Sequence, residues 1–179
     1  MPLLPSLPEN ATLLHVFRKF PNVSTPLIQY HEALLRGPSP LSVAERELIA
    51  AFVSGVNEIA YCVGVHGATA RVFGIDEGVF AQLLDDIDAS EVDDKLKPIL
   101  HFVRKLTEAP GSMLQADADK VFAAGWDEAA LHDAISVCSL FNFMNRLVAG
   151  TGVTADEDYY LSAAQRLKGG YLGLIDMMK

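Results

Sequence analysis

Cysteine and tryptophan are scarce in this chain of 179 residues, which contains two of the first and one of the second. Two cysteines, Cys62 and Cys138, do not make the disulfide framework of a small secreted domain. We therefore expect reduced thiols and keep a Cys62–Cys138 disulfide as the less favoured alternative. The start, MPLLPSLPEN, shows no basic segment of a signal peptide. Both observations favour a cytoplasmic protein.

Basic residues are fewer than acidic ones: the chain has 14 Lys and Arg and 23 Asp and Glu, which gives a formal net charge of −9. No basic stripe exists that would neutralise phosphates, so we expect no nucleic-acid partner. No apolar run approaches the length of a membrane span, so we expect no membrane partner either. Glycine-rich phosphate loops and nucleotide motifs are also absent, and we expect no cofactor.

Strand-like alternation of apolar and polar residues is absent, whereas helical periodicity recurs along the chain. The length suits one core of useful size. We predict a single all-α domain over residues 1–179, with an extended arm at 1–10 and a tail at 154–179. Half of the residues are hydrophobic, which is rich for a soluble monomer, so we also predict a homo-oligomer (dimer, trimer or hexamer) with a buried interface.

The clearest helix signals lie in the first half of the chain. Ser42, with Glu45 three residues later, forms a capping box at the start of VAERELIAAFVSG. Asn57 is a good N-cap for the next helix, which we predict from about residue 58 to residue 73, before Gly74. Glu58 would then lie in the first turn of that helix, where an acid interacts well with the helix dipole.

A third strong pattern, WDEAALHDAISVCSLFNFMNRLVAGTGV, predicts a central helix from about Asp127 to Val148. Cys138 lies within its wide apolar stripe, and we interpret it as a small buried hydrophobe. Asn142, Asn145 and Arg146 interrupt the stripe, and these polar groups need partners if they are buried.

The residues with the most evident chemistry are Cys62 and His66. They lie four positions apart and therefore share one face of the predicted helix. Cys62 is close to the start of that helix, where the dipole favours a thiolate, so we predict a pKa below that of a free thiol. Glu47, in the preceding helix, can supply a carboxylate to this site. The plainer interpretation of Glu47 is a solvated acid or a partner of Arg46.

The segment LSVAERELIAAFVSGVN, followed by YCVGVH, resembles the alkylhydroperoxidase D and carboxymuconolactone decarboxylase superfamily, and within it the peroxidase-related members. In redox-active members a Cys-x-x-Cys pair precedes a His by four residues, and a Glu lies fifteen residues before the second Cys. The resemblance, which spans about residues 38–152, assigns these roles to Cys62, His66 and Glu47. Ile59 stands where the first Cys would be, so the motif is incomplete. The resemblance also implies an alkylhydroperoxidase D-like helical bundle.

The leading hypothesis from the resemblance is an antioxidant enzyme that reduces hydroperoxides, with Cys62, His66 and Glu47 as catalytic residues. Because Ile59 cannot close a disulfide, the sulfenic acid on Cys62 would need an external thiol, or Cys138 after a movement. One alternative is an acid–base enzyme of the carboxymuconolactone decarboxylase type, acting on a small lactone acid through His66 and Glu47. Another is a non-catalytic oligomeric binding protein. Cys62 and His66 alone are too few ligands for a structural zinc site.

Overall fold

The computed structural model describes residues 1–179 and consists of α-helices and loops, with one 3₁₀ turn at Pro110–Ser112 and no β-strand. The all-α prediction is confirmed. The helices are α1 (Leu13–Lys19), α2 (Pro21–Arg36), α3 (Val43–Val56), α4 (Ala60–Val72), α5 (Val79–Asp85), α6 (Lys97–Glu108), α7 (Gln115–Ala123), α8 (Glu128–Thr151), α9 (Glu157–Leu167) and α10 (Gly173–Met178).

Helix α3 lies at the centre of the fold. Its start is fixed by the predicted capping box, in which the Glu45 N–H donates to Ser42 Oγ at 3.2 Å and the Ser42 N–H donates to the Glu45 carboxylate at 2.6 Å. All residues of Arg46–Ser54 are buried, because α4, α5, α6 and α8 all pack against this helix. A helix that is surrounded in this way has no solvent face, so Glu47 is carried into the interior.

The junction between α3 and α4 differs from the prediction. Asn57 ends α3, and α4 begins only at Ala60, with Ile59 as its N-cap residue. Glu58, predicted in the first turn of α4, lies in the connection and has a φ of 58°, which is unusual for a residue other than glycine. The dipole role predicted for Glu58 is therefore wrong. Cys62 does lie in the first turn of α4, as expected.

The Asn57 side chain connects this junction to α8 instead of capping α4. Its amide donates to the side-chain oxygens of Asn142 at 3.2 Å and of Asn145 at 2.9 Å. The Asn145 amide in turn donates to Ser54 Oγ at 2.9 Å. The two amides that interrupt the apolar stripe of α8 thus both bind Asn57 at the end of α3, which gives these polar groups the partners they need.

The tail contributes α9 and α10. Helix α9 packs against α4, and α10 packs against α1 and α2. Gly64 on α4 permits the close approach, because a Cβ atom built there would lie 2.3 Å from the Tyr160 ring. The buried core draws residues from Ala11 to Tyr171, while the division of the chain into a single domain with an arm and a tail stays a prediction. No helix combines the length and the apolar character needed to cross a membrane.

Candidate active site

Glu47 is completely buried and is bound by three side chains. Its Oε1 accepts hydrogen bonds from Arg36 Nη1 at 2.7 Å and from the Tyr171 hydroxyl at 2.8 Å. Its Oε2 accepts one from His66 Nδ1 at 2.7 Å. The structure thus brings Glu47 and His66 together. The plainer interpretation of Glu47 is wrong, since Arg46 donates to backbone carbonyl groups instead.

The surroundings of Glu47 keep it anionic. Burial by itself would raise the pKa of this carboxyl group, but the hydrogen bond and charge of His66, the charge of Arg36 and the Tyr171 hydrogen bond together lower it below its ordinary value. Burial raises the pKa of the Tyr171 hydroxyl well above its ordinary value, and the charge of Glu47 acts in the same direction. Tyr171 therefore remains a hydrogen-bond donor to the carboxylate.

His66 is oriented by these contacts. Glu47 accepts the bond from Nδ1, and the ring lies edge-on to Phe141, with a centroid distance of 4.4 Å and an interplanar angle of 78°. No protein group binds Nε2. A neutral imidazole that donates through Nδ1 carries its lone pair on Nε2, so this atom can act as a base.

Cys62 is 2% exposed and lines the same cavity as His66. No hydrogen bond joins the two side chains. The prediction of an acidic thiol is wrong, because burial raises the pKa of Cys62 to about 11, and the nearby Asn145 and Ser54 side chains oppose this only in part. The loss of hydration raises the pKa of Cys62 more than the dipole at the start of α4 lowers it. Cys62 is therefore a protonated thiol before the reaction.

The cavity next to Cys62, called the Cys62 cavity below, has a volume of about 70 Å³ and is lined by 16 residues, of which nine have apolar side chains. Its walls come from both ends of the chain as well as from α4. The polar side chains that line it are those of His31, Tyr61, Cys62, His66, Tyr159, Arg166 and Tyr171. This arrangement suits a small, mainly apolar ligand that has a few polar groups.

Sequence motifs did not reveal three residues near this site: Arg36, Tyr171 and His31. Arg36 and Tyr171 bind Glu47 from positions that precede and follow the family-like segment around it. His31, on α2, has Nδ1 bonded to a backbone carbonyl at 2.8 Å, and burial lowers its pKa to about 4. His31 is thus neutral near pH 7. No sequence signal marked Arg36 and Tyr171, because their contacts with Glu47 join separate parts of the fold and form only when these pack together.

Cys138 and the possibility of a metal site are the other two points raised by the sequence. Cys138 is buried on α8, where its thiol lies 3.3 Å from Thr107 Oγ1, and it does not line the Cys62 cavity. Both cysteines are free. No group of three or more His, Cys, Asp or Glu side chains is arranged to hold a metal ion.

Residues 21–94 match the model of the carboxymuconolactone decarboxylase family. An uncharacterized peroxidase-related protein from Silicibacter sp. TM1040 has a similar structure, with 26% identity, a TM-score of 0.76 and coverage of 83% of this chain and 78% of that one. The segment that matches the family model is less than half of the 179 residues, so the comparisons support a likeness to the alkylhydroperoxidase D and carboxymuconolactone decarboxylase superfamily. This segment contains Glu47, Cys62 and His66, whereas Tyr171 and Arg166 lie beyond it.

A second solved structure, the alkylhydroperoxidase AhpD core of an uncharacterized peroxidase-related protein from Ralstonia eutropha JMP134, is 23% identical. The match covers 83% of this chain and 78% of that one, with a TM-score of 0.76. At that identity the likeness supports the fold alone. No curated protein sequence matches the chain.

Proposed function

We propose that the protein reduces organic hydroperoxides, with Cys62 as the reacting thiol, His66 as its proton acceptor and Glu47 as the residue that positions His66. The observation that carries the proposal is that Cys62 and His66 line one small, largely apolar cavity while Glu47 leaves His66 Nε2 free. The similar solved structure from Silicibacter sp. TM1040 is described as peroxidase-related, which supports this choice of reaction. The apolar lining favours an organic hydroperoxide over hydrogen peroxide.

The reaction begins from a protonated thiol, since the pKa of Cys62 is about 11. His66 Nε2 takes the thiol proton as the sulfur attacks the terminal oxygen of the hydroperoxide. The O–O bond breaks, and the departing alkoxide receives the proton from His66. The products are the alcohol and a sulfenic acid on Cys62. Glu47, which is anionic, stabilises the imidazolium form of His66 during this step.

An external thiol completes the cycle. Ile59 cannot form a disulfide with Cys62, and Cys138 lies in separate surroundings on α8. Attack of one external thiol on the sulfenic acid gives a mixed disulfide and water. A second external thiol then releases Cys62 and forms the disulfide of the reductant.

A second candidate function is acid–base catalysis on a small lactone acid, in which His66 and Glu47 act without a redox role for Cys62. Two observations favour it: the free Nε2 of a well-held imidazole and the raised pKa of the thiol. The family model that matches residues 21–94 carries the name of such a decarboxylase. A buried, anionic Glu47 is costly to maintain, which favours a catalytic use of this group over a purely binding role.

The test compares Cys62→Ser with Cys138→Ser. Consumption of tert-butyl hydroperoxide with dithiothreitol as the reductant should be lost in Cys62→Ser and retained in Cys138→Ser. Trapping with dimedone, followed by peptide mapping, should place the sulfenic acid on Cys62. If Cys62→Ser consumes hydroperoxide as fast as the parent protein, the thiol mechanism is wrong.

Self-association and a cytoplasmic location stay predictions. Phe20, Val23 and Phe143 are exposed large apolar residues that border one surface groove, and a second copy of the chain would bury such a surface. Light scattering at micromolar concentration tests this part of the proposal, and a monomer there would contradict it.

A further inference from the structure

Arg166 is the only arginine or lysine that lines the Cys62 cavity. Its Nη1 donates to Ser162 Oγ at 2.6 Å, but no carboxylate forms an ion pair with it. Its Nε is buried and has no hydrogen-bond partner. Arg36, by contrast, is paired with Glu47. Arg166 thus carries a positive charge at the cavity that no protein group neutralises.

The guanidinium of Arg166 is bound differently from those of the other four arginines without an ion pair. Each of those four donates to at least one backbone carbonyl oxygen: Arg18, Arg46, Arg104 and Arg146. Arg166 donates only to the Ser162 hydroxyl. A buried N–H group without a partner loses hydration and receives no bond in return. A guanidinium has five N–H donors in a planar fork that matches a carboxylate. The missing partner is therefore best supplied by an anionic ligand.

Tyr159 provides a second donor next to Arg166. Both lie on α9 and line the cavity, and the Arg166 guanidinium is 5.5 Å from the centre of the Tyr159 ring. The Tyr61 hydroxyl accepts a bond from the Leu13 N–H and donates its own proton to the Tyr159 oxygen at 2.9 Å. The proton of Tyr159 is then left free to donate to a ligand.

We propose that Arg166 and the Tyr159 hydroxyl bind a carboxylate, so that the substrate is a small apolar acid. This inference rests on the proposed function and narrows its substrate class to hydroperoxides that carry a carboxylate. The acid group binds at α9, the apolar body occupies the Cys62 cavity, and the hydroperoxide reaches Cys62 and His66 on α4. The volume of about 70 Å³ is about half that of a cavity known to hold benzene, roughly 150 Å³, so the body of the acid is short.

The test measures binding of unreactive probes and does not require turnover. Hexanoate and hexanamide have the same chain length and differ in charge, and their affinities for the reduced protein are measured by titration calorimetry. Hexanoate should bind about tenfold more tightly than hexanamide, as a charge-assisted bidentate contact allows. Hexanoate, and not hexanamide at equal concentration, should also slow alkylation of Cys62, which locates the probe in the cavity.

Three variants make the test specific. Arg166→Gln should remove the preference for hexanoate, and Arg166→Lys should retain part of it. Arg71→Gln is the matched control, because it removes the same charge from a residue that does not line the Cys62 cavity, and it should behave like the parent. Circular dichroism verifies that each variant is folded, and the comparison of the two probes in the parent stands even if Arg166→Gln does not fold.

The carboxylate site is refuted by any of three results: hexanamide binds as tightly as hexanoate, Arg166→Gln keeps the preference, or the parent does not bind hexanoate. The probes carry no hydroperoxide, so these results are independent of whether Cys62 reacts with peroxide. Loss of peroxidase activity in Cys62→Ser, together with unchanged hexanoate binding, would support both proposals separately. If the protein binds hexanoate but never consumes hydroperoxide, the proposed carboxylate site stands and the proposed peroxidase function is wrong.

Discussion

Glu47 Oε2 and His66 Nδ1, which belong to residues 19 positions apart, are joined by a buried hydrogen bond of 2.7 Å. This bond fixes the orientation of the imidazole and leaves Nε2 available for proton transfer. Arg36 and Tyr171 occupy the other carboxylate oxygen. The carboxylate is therefore held from several directions, and the position of His66 depends on Arg36 and Tyr171 as well as on Glu47.

Glu47→Gln should preserve the shape of the site while removing its negative charge. The imidazolium form of His66 would lose its stabilising partner, and Arg36 would be left without a counter-ion. We expect peroxidase kcat/KM to fall by about 10²- to 10⁴-fold, the range of general-base effects. Breaking a buried ion pair of this kind should also destabilise the fold by about 3–5 kcal/mol.

Steady-state kinetics and urea unfolding measure the two effects of Glu47→Gln. Glu45→Gln is the matched control, because it makes the same substitution on α3 at a residue that caps the helix and does not contact His66. It should leave kcat/KM within about twofold, since Gln also serves in a capping box. Equal activity in both variants would show that Glu47 does not support catalysis.

Cys62 should titrate at high pH. Its pKa is raised to about 11 from a usual 9.0, so the rate of alkylation should keep increasing up to that pH, whereas a free thiol levels off near ~8.5. Because the folded pKa is the higher one, stability linked to this thiol is fully present below the unfolded pKa. It is then lost as the pH rises through the folded value.

Iodoacetamide labelling of Cys62, followed by peptide mass mapping, measures this titration, and Cys62→Ser should lose the linked alkaline decrease in stability. A small free thiol under the same conditions is the reference. A Cys62 profile that coincides with the free thiol would mean that burial does not control its reactivity.

The sequence was sufficient for those parts of the structure that depend on neighbours in the chain. The Ser42–Glu45 capping box and the alignment of Cys62 and His66 on α4 follow from local spacing. The acidity of Cys62 was mispredicted because its environment depends on burial by distant helices. Tyr171 was missed for the same reason, since its contact with Glu47 exists only after the tail has packed.

Tyr171→Phe should weaken the support of Glu47 while leaving the aromatic ring in place. The lost hydrogen bond is one of the contacts that lower the pKa of Glu47, so that pKa should rise. A depressed carboxyl pKa gives stability that is present above the unfolded pKa and lost as the pH falls through the folded value. Acid unfolding should therefore begin at a higher pH in the variant, and stability near pH 7 should fall by about 1–2 kcal/mol.

Circular dichroism during an acid titration detects the change in Tyr171→Phe. Tyr30→Phe is the control, because it removes the same hydroxyl group from a side chain on α2 that is 48% exposed. It should unfold at the same pH as the parent. An unchanged acid transition in Tyr171→Phe would contradict the role of this hydroxyl in holding the carboxylate.

Ile59→Cys should restore the partner that the family motif provides. Ile59 is the N-cap residue of α4, and Cys62 lies in the first turn three residues later, a spacing that brings the two side chains close. Dilute hydroperoxide should convert the variant into an intramolecular 59–62 disulfide, while the parent stops at a sulfenic acid or a mixed disulfide. Removal of a half-buried, branched side chain should cost about 1–2 kcal/mol, which a domain of this size tolerates.

Peptide mapping after a peroxide pulse decides the outcome. Ile59→Ser is the matched control, because it makes a similar loss of volume without adding a thiol and should behave like the parent. The double variant Ile59→Cys, Cys62→Ser should form no intramolecular disulfide through position 59, since the reacting sulfur is gone. If Ile59→Cys folds and both thiols remain free in the presence of hydroperoxide, Cys62 does not react with peroxide. The Glu47–His66 pair would then be better explained by acid–base catalysis, which needs no sulfur chemistry.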